Sequence, residues 1–389
     1  QIYKEKKGDE YVGGFTFYIQ KIWKNKAWVG AGMCILYLLY NMLSIPVHTF
    51  HVFTAASSIA NEVTGRVTQV SEPLYYVIAA AIVVIIAVIT FGGIKSVVRF
   101  SDRAVPVMAA LYIAVIALLI ILNLNKVPAF VAAVFGGAFK PSAVFGGAFG
   151  VAMAQGLKRG LLSNEAGMGS APNAAATASV SHPVKQGLVQ SLSVYIDTLL
   201  ICTCSAMMVL VFYVQDPKAA AGLNGMPLVQ MAVNNAVGEV GIHFITFAIF
   251  AFAFSSLIGN YFYAETNFRY IFKNTKWGML IFRVLCLAAI FYGCVNSFDL
   301  AWNLADIFMG LMAIVNLVAI VLLGKWALKV LDDYTAQRKA GKDPVFVAAS
   351  IEGLPPTECW HLEHLEEYGK PPVQEYLDEQ IDVEYAGLQ

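Results

Sequence analysis

Long apolar runs, separated by short polar segments, make up most of the chain. A helix needs about 20 apolar residues to cross the hydrocarbon of a bilayer, and eight runs approach or exceed this length. They predict membrane helices at residues 27–60, 73–93, 104–124, 142–158, 186–212, 240–264, 279–296 and 300–324. Pro46 lies inside the first of these helices and predicts a kink there.

The composition supports an all-α integral membrane protein. The chain is 58% hydrophobic and 13% charged, and its mean hydropathy is +0.64. A soluble globule cannot bury this much apolar surface, so the lipid bilayer must solvate much of the chain. The net charge of zero gives no reason to expect nucleic-acid binding. The six cysteines form no CxxC pair, and five lie in apolar runs, which favours small buried side chains over disulfides or metal ligands.

The distribution of Lys and Arg predicts the orientation. If the N-terminal segment is cytoplasmic, alternation of the spans places 21 Lys and Arg residues on that side, while Arg283 lies within a predicted span. The opposite side then holds only four, Arg66, Lys126, Lys140 and Lys218. Cytoplasmic loops are enriched in positive charge. We therefore expect a multi-pass cell-membrane protein with both ends of this chain in the cytoplasm.

The composition changes at about Asp343, which divides the chain into a membrane domain (1–342) and a tail (343–389). The tail holds 11 acidic residues and one lysine, which predicts a solvated, poorly ordered cytoplasmic segment. Cys359, His361 and His364 within it have metal-ligand chemistry. Three candidate ligands in a flexible tail are weak evidence, so no metal site is predicted.

Carboxylates inside apolar runs are the first candidates for function. Asp197 and Asp306 each interrupt a predicted membrane helix, where a carboxylate is costly unless it is paired or solvated. Gln186, Gln190, Ser193 and Asp197 recur at spacings of four, three and four residues, and so form one polar stripe on a helix. The stripe fits either a cavity wall or a structural hydrogen-bond network. Asp306 lies nearer a helix end, where capping or packing is the simpler interpretation.

A segment with paired glycines occurs twice, at 133–139 and at 143–149, and Gly150 follows the second copy. Paired glycines weaken a helix, so they favour either local unwinding or the close approach of another helix. Unwound backbone inside a membrane offers N–H and C=O groups that can bind the carboxylate and ammonium of an amino acid. The glycines alone do not decide between these alternatives.

Two adjacent hydroxyls, those of Ser255 and Ser256, follow the apolar run 249–254. Hydroxyls in a membrane helix can donate to the preceding turn, which is the simpler interpretation. They are also hard oxygen ligands of the kind that a dehydrated Na⁺ requires.

Residues 158–173 are the most specific segment and read Lys-Arg-Gly-Leu-Leu-Ser-Asn-Glu-Ala-Gly-Met-Gly-Ser-Ala-Pro-Asn. Further motifs are His182-Pro183, Gln186-Gly187, Asp197-Thr198-Leu199-Leu200-Ile201-Cys202-Thr203, Ala253-Phe254-Ser255-Ser256, Asn260-Tyr261, Tyr263-Ala264-Glu265 and Leu304-Ala305-Asp306. With these motifs the chain resembles the alanine/glycine:cation symporter family from about Tyr3 to Asp343.

The resemblance implies the leucine-transporter fold, in which two repeats of five helices are related by an inverted topology. The eight predicted spans then correspond to core helices three to ten. The resemblance therefore implies that core helices one and two are missing from this chain, which begins with Gln1 rather than Met and is expected to be a fragment of a longer one. As it stands, such a chain should not transport.

The resemblance also assigns candidate site residues. Core helix six is the broken helix of this fold, and its substrate-binding residues would be Phe145, Gly146, Gly147 and Gly150. The cation-binding residues would be Ser255 and Ser256 in core helix eight, and Asp197 and Thr198 in core helix seven. A gate or hinge would comprise Ser163, Asn164, Glu165, Gly167 and Gly169.

Two departures from the family pattern bear on the substrate. Ala55 and Ser57 occupy positions where many members carry Gln and Asn. One turn earlier, His48 and His51 form a pair that could contact a substrate or take up a proton. The simpler interpretation is that they satisfy neighbouring helices.

These observations predict a secondary transporter that imports alanine or glycine together with Na⁺ by alternating access. The alternatives are a proton-coupled or other small-solute carrier that uses His48, His51 and Asp197, and a non-transporting sensor that works through its acidic tail. The spans show no nucleophile–base or metal constellation, so neither an enzyme nor a resident cofactor is expected. The expected partners are a small amino acid, Na⁺ and the bilayer.

Overall fold

The computed structural model describes residues 1–7, 10–22, 26–65, 69–91, 103, 106–114, 117–118, 120–121, 124–139, 147–223, 225–272, 275–295 and 299–361. An antiparallel hairpin of β1 (Glu5–Lys7) and β2 (Glu10–Val12) precedes the helices, with Lys6 opposite Tyr11. The helices of the first half are α1 (Phe15–Ile22), α2 (Ala27–Thr64), α3 (Pro73–Phe91), α4 (Val127–Phe139), α5 (Gly147–Asn164) and α6 (Ala171–Thr177).

The second half begins with a helix that changes type along its length. It runs as α7 (Pro183–Tyr195), continues as a π-helical segment (Ile196–Cys202) and ends as α8 (Thr203–Gln215). The remaining helices are α9 (Pro217–Ala220), α10 (Met226–Val237), α11 (Glu239–Phe272), α12 (Lys276–Val295) and α13 (Asp299–Lys339). Short 3₁₀ turns lie at Leu124–Lys126 and Ala348–Ser350.

Six helices of the described residues are long and apolar enough to span a membrane. They confirm an integral all-α membrane protein and match six of the eight predicted spans. They are α2, α3, the α7–α8 helix, α11, α12 and α13. The other two predicted spans are not among them. The span predicted at 104–124 lies partly outside the described residues, with 106–114 helical. The span predicted at 142–158 coincides with α5, which runs on to Asn164.

The main core forms where α11 and α12 pack against α2. Its fully buried side chains are Ile45, Val52, Ala79, Ile86, Leu257, Ile258, Ala264 and Ile290. α2 continues across Pro46, and Gly293 of α12 lies against that residue. A Cβ on Gly293 would be 2.5 Å from the Pro46 carbonyl oxygen, so only glycine permits this approach of the two helices.

The first part of the predicted tail is ordered in the structure. Phe346 and Trp360 are buried in a cluster with Val330 of α13 and with Ile2 and Val184. The Trp360 Nε1–H donates to the Gln1 carbonyl at 3.2 Å, so residues near both ends of the described chain meet. Residues 343–361 of the predicted tail therefore include large apolar side chains that bury surface in this cluster. Residues 362–389 lie outside the described residues.

Candidate functional site

Two sets of predicted site residues come together where α5 meets the π-helical segment. The Ser163 hydroxyl donates to the Asp197 carboxylate, with Oγ and Oδ2 2.6 Å apart. The Asn164 Nδ2 donates to the Thr198 Oγ1 at 2.8 Å. The candidate hinge at the end of α5 is thus bonded directly to the candidate cation ligands of the next long helix. No residue in the most apolar part of the α7–α8 helix is buried, so this helix lies at the edge of the described bundle.

The π-helical geometry explains how one hydroxyl reaches two side chains of that helix. Ser163 Oγ lies 2.6 Å from Asp197 Oδ2 and 3.0 Å from Cys202 Sγ. Asp197 and Cys202 are five residues apart, and the i→i+5 hydrogen bonds of a π-helix bring residues at that spacing onto one face. An α-helix would place only residues three or four apart on the same face. Such segments are frequent at functional sites.

The loop between α5 and α6, residues 165–170, has an irregular backbone. Glu165 has φ +53°, and Gly167 and Gly169 have φ +80° and +96°. A Cβ on Gly169 would be 2.5 Å from the Phe15 ring, so α1 packs directly on the backbone of the loop. The Asn164 Oδ1 accepts from the Ala166 N–H at 2.9 Å and fixes the start of the loop.

Asparagines from the long helices hold this loop against α1. The Asn316 Nδ2 donates to the Gly167 carbonyl at 2.9 Å, while the Asn316 Oδ1 accepts from the Tyr18 hydroxyl. The Asn267 Oδ1 accepts from Thr16 Oγ1 at 2.8 Å, and its Nδ2 lies 3.4 Å from the Asn173 Oδ1. Sequence reasoning missed both Asn267 and Asn316. Asn316 interrupts the apolar run 311–323, the same signal that singled out Asp197.

A cavity of about 620 Å³ lies beside the 165–170 loop. Its wall includes Glu165 and Gly167 of the loop, Gln186 and Gln190 of α7, and Asn316 of α13. The predicted polar stripe on α7 therefore faces a cavity along its first part. Its last residue, Asp197, bonds to Ser163 instead.

The second intramembrane carboxylate, Asp306, pairs with a cation. Arg159 Nη2 lies 2.8 Å from Asp306 Oδ2, and the guanidinium carbon lies 4.6 Å from the centre of the Trp302 ring. The pair joins α5 to α13, so Asp306 does more than cap a helix. The sequence identified Arg159 only as one of the positive charges that set the orientation, because nothing in the chain order shows that α5 and α13 are neighbours.

The predicted serine pair lies on α11, apart from the Asp197 contacts. The Ser255 hydroxyl donates to the Phe252 carbonyl at 2.8 Å, the back-bonding that the residues alone suggested. Asn260 Nδ2 donates to the Ser256 carbonyl at 2.9 Å. The Asn260 Oδ1 is buried with no partner among the described residues, and so provides an uncommitted oxygen one turn from Ser256.

The predicted substrate residues are described only in part. Phe145 and Gly146 lie outside the described residues. Gly147 is the first described residue of α5, and Gly150 is helical and exposed. A Cβ on Gly150 would meet no described atom within 4 Å, so close packing of another described helix does not account for this glycine.

The remaining candidates are the histidine pair of α2 and the possible metal ligands of the tail. His51 of the α2 pair packs edge-on against Trp302, with the ring centres 6.4 Å apart. The described residues contain no group of three side chains able to hold a metal ion, and His364 lies outside them. Cys359 is buried in the cluster of Trp360.

Comparison with known proteins gives a consistent result. Residues 1–348 match the model of the sodium:alanine symporter family. The amino-acid carrier protein AlsT of Bacillus subtilis is 42% identical over 366 residues, which cover 94% of this chain and 75% of AlsT. The probable sodium/glutamine symporter GlnT of the same organism is 41% identical over 92% of this chain and 72% of its own. The sodium/proton-dependent alanine carrier protein of Bacillus sp. PS3 is 38% identical over 72% of this chain and 65% of its own.

The match covers the 165–170 loop, the π-helical segment and all six membrane-spanning helices. It confirms the resemblance seen in residues 158–173. The protein is a multi-pass membrane transporter and not an enzyme, and the chain belongs to the sodium:alanine symporter family.

Proposed function

We propose that the protein imports a small neutral amino acid, alanine or glycine, together with Na⁺ by alternating access. The observation that carries the proposal is the bonding of Ser163 and Asn164 to Asp197 and Thr198. This contact joins a hinge candidate to an intramembrane carboxylate, that of Asp197, which is followed in the chain by the hydroxyl of Thr198. Hard cations prefer such oxygen ligands, and bound Na⁺ would offset the cost of an ionised carboxylate in the membrane.

The chain would adopt the leucine-transporter arrangement of inverted repeats in the cell membrane, with both described ends in the cytoplasm. The meeting of Gln1 with Trp360 supports an even number of spans between them. Backbone around 145–150 would bind the zwitterion, and Ser255 and Ser256 would supply oxygens for a second cation. The uncommitted Asn260 Oδ1 supports a ligand site on this part of α11.

The names of the relatives leave the substrate and the coupling ion open. One is named for glutamine and another for alanine, at 41% and 38% identity. The latter name gives both sodium and proton. Alanine and glycine are proposed because family resemblance favours them, and glutamine is the competitor to test.

The test is uptake of labelled alanine into proteoliposomes by the protein expressed from its complete gene. We expect uptake to require a Na⁺ gradient and to be inhibited by glycine more strongly than by glutamine. Asp197→Asn and the Ser255→Ala/Ser256→Ala double variant should each lose most Na⁺-dependent uptake. Thr54→Ala is the matched control, because its hydroxyl also donates to a carbonyl within its own membrane helix, that of Phe50.

Three results would contradict parts of the proposal. Uptake that a pH gradient drives without Na⁺ would favour a proton-coupled carrier. Full Na⁺ dependence in the serine double variant would exclude those residues as cation ligands. Binding of alanine without flux would indicate a sensor.

A further inference from the structure

Glu165 stands out within the 165–170 loop by its backbone. It is the one non-glycine residue with positive φ among the described residues, and the glycines at 167 and 169 share that sign. A residue with a Cβ occupies this region at an energetic cost, so the surrounding structure must hold it there. The strain points to a role for this side chain in this position.

The surroundings of the Glu165 carboxyl contain hydroxyl groups. It lies within electrostatic range of the hydroxyls of Tyr37 and Tyr40 on α2 and of Tyr263 on α11. Tyr37 is fully buried, and its hydroxyl has no hydrogen-bond partner among the described residues. An uncommitted donor therefore lies near a carboxyl group that is itself partly buried.

No described cation compensates this carboxyl. The ion pairs of the described residues do not include Glu165. Arg159 and Asp306 are paired with each other, and the Lys4 amine, which lines the same cavity as Glu165, donates to the Ala178 carbonyl at 3.2 Å. On α1 the facing group is the Tyr18 hydroxyl, which is bonded to Asn316. Burial consequently raises the pKa of Glu165 above its ordinary value.

Glu165 also lines the 620 Å³ cavity. Residues 1–4, Gly14 and the start of α7 line the same cavity, and all belong to segments predicted to be cytoplasmic. The residue thus lies between a tyrosine-rich interior and a space large enough for water. Protons can reach it from the cavity side without crossing the helix bundle.

We propose that Glu165 is a proton-binding site that controls the 165–170 loop. This inference rests on the proposed role of the loop as a gate. The carboxyl binds a proton from water in the cavity while the loop is packed on the tyrosines. When the loop opens, the carboxyl returns the proton to water and is exposed as a carboxylate.

The direction of the pH effect follows from the preference of the closed loop for the protonated form. Lowering the pH on the cavity side favours the closed loop, and raising it favours the open loop. For each unit by which the pKa of Glu165 is higher in the closed loop than in the open loop, deprotonation at high pH lowers the closed-to-open ratio about tenfold.

The experiment measures opening of the loop directly, by the reactivity of a cysteine placed at Met168. Met168 is fully buried in the closed loop, so Met168→Cys reacts with a membrane-impermeant maleimide only when the loop opens. The protein, from its complete gene, is labelled from the cavity side at pH values from about 5 to about 8, which lie above the ordinary carboxyl pKa. Peptide mass spectrometry quantifies position 168, and buried Cys286 serves as the unreactive internal reference. Because maleimide attacks the thiolate, each labelling rate is divided by that of a small free thiol at the same pH.

We expect the normalised labelling of Met168→Cys to rise with pH, and to stay low and flat when Glu165→Gln is added. Glu352→Gln is the matched control, because Glu352 is exposed in the predicted cytoplasmic segment, and it should retain the rise. An unchanged rise in Glu165→Gln, or high labelling at every pH, would overturn the proposal. The assay uses no substrate or Na⁺, so its outcome is independent of the transport experiment.

Tyr37→Phe provides a second measurement in case Glu165→Gln does not fold. It removes a donor that can stabilise the ionised carboxyl, without breaking a hydrogen bond among the described residues. The midpoint of the labelling curve should move to higher pH. A midpoint that stays in place would contradict the proposal.

Discussion

Substituting Gly169 by alanine should release the 165–170 loop from α1. At φ +96° an alanine is strained, which costs about 1–2 kcal/mol. Its Cβ would also lie 2.5 Å from one carbon of the Phe15 ring and 3.1 Å from two others. Phe15 is fully buried against Tyr18 and Tyr37, so the ring has no open space to move into. Overpacking of this kind costs about a further 1–3 kcal/mol.

Gly167→Ala is the matched control within the same loop. Gly167 has φ +80°, and a Cβ there would meet only Leu317 Cδ2, at an ordinary 3.5 Å. The two variants therefore share the backbone strain and differ in the steric term. We expect Gly169→Ala to lower the free energy of unfolding by about 1–3 kcal/mol more than Gly167→Ala.

The assay is denaturant-induced unfolding in detergent micelles, followed by tryptophan fluorescence. Labelling of Met168→Cys at fixed pH gives a second readout, which should increase in the Gly169→Ala background. Equal destabilisation by the two alanines would refute the reasoning, because it would mean that α1 does not pack on the loop as described.

Two further predictions concern charged groups. Asp306 is mostly buried and Arg159 partly exposed, so Asp306→Asn should lower the free energy of unfolding by about 1–3 kcal/mol. A double-mutant cycle with Arg159→Gln should show that the effects of the two substitutions are not additive. Additive effects would contradict the pairing. The pKa of His182 is lowered, chiefly by burial and against the opposing effect of Asp333, so charging this residue destabilises the native state. Stability should therefore fall as the pH drops below the ordinary pKa of about 6.5, and His182→Asn, which keeps a side-chain cap for α7, should flatten this part of the pH profile measured by unfolding.

The sequence predicted those features for which physical chemistry allows a residue type only a few environments. Apolar runs of membrane length predicted the positions of α2, α3, α11 and α12 because hydrogen-bonded backbone in lipid must be helical. Asp197 was identifiable as a candidate for the same reason, since an intramembrane carboxylate requires a partner. The motif at 158–173 predicted the family, which the comparison confirmed.

The sequence could not predict features that depend on which helices are neighbours. The pairing of Arg159 with Asp306 joins residues 147 positions apart. Asp306 stood out in the sequence as an intramembrane carboxylate, but its segment does not show which cation it pairs with. The π-helical segment was not predicted either, because its i→i+5 bonds add one residue to a turn without altering local composition. The burial of Phe346 and Trp360 was not predicted either, because the net negative charge of the tail outweighed its few apolar residues in the sequence.

The docking of residues 345–360 has a consequence for the order of assembly. Membrane helices form as the chain is synthesised, from the N-terminus onward, and this segment is made after all six described membrane spans. Its docking surface is composed of Val330 of the last of these helices, Val184 at the start of α7, and Ile2 and Tyr11 near the beginning of the chain. That surface exists only when early and late helices have reached their places. The segment therefore joins last, and its attachment distinguishes a fully assembled bundle from one that is still incomplete.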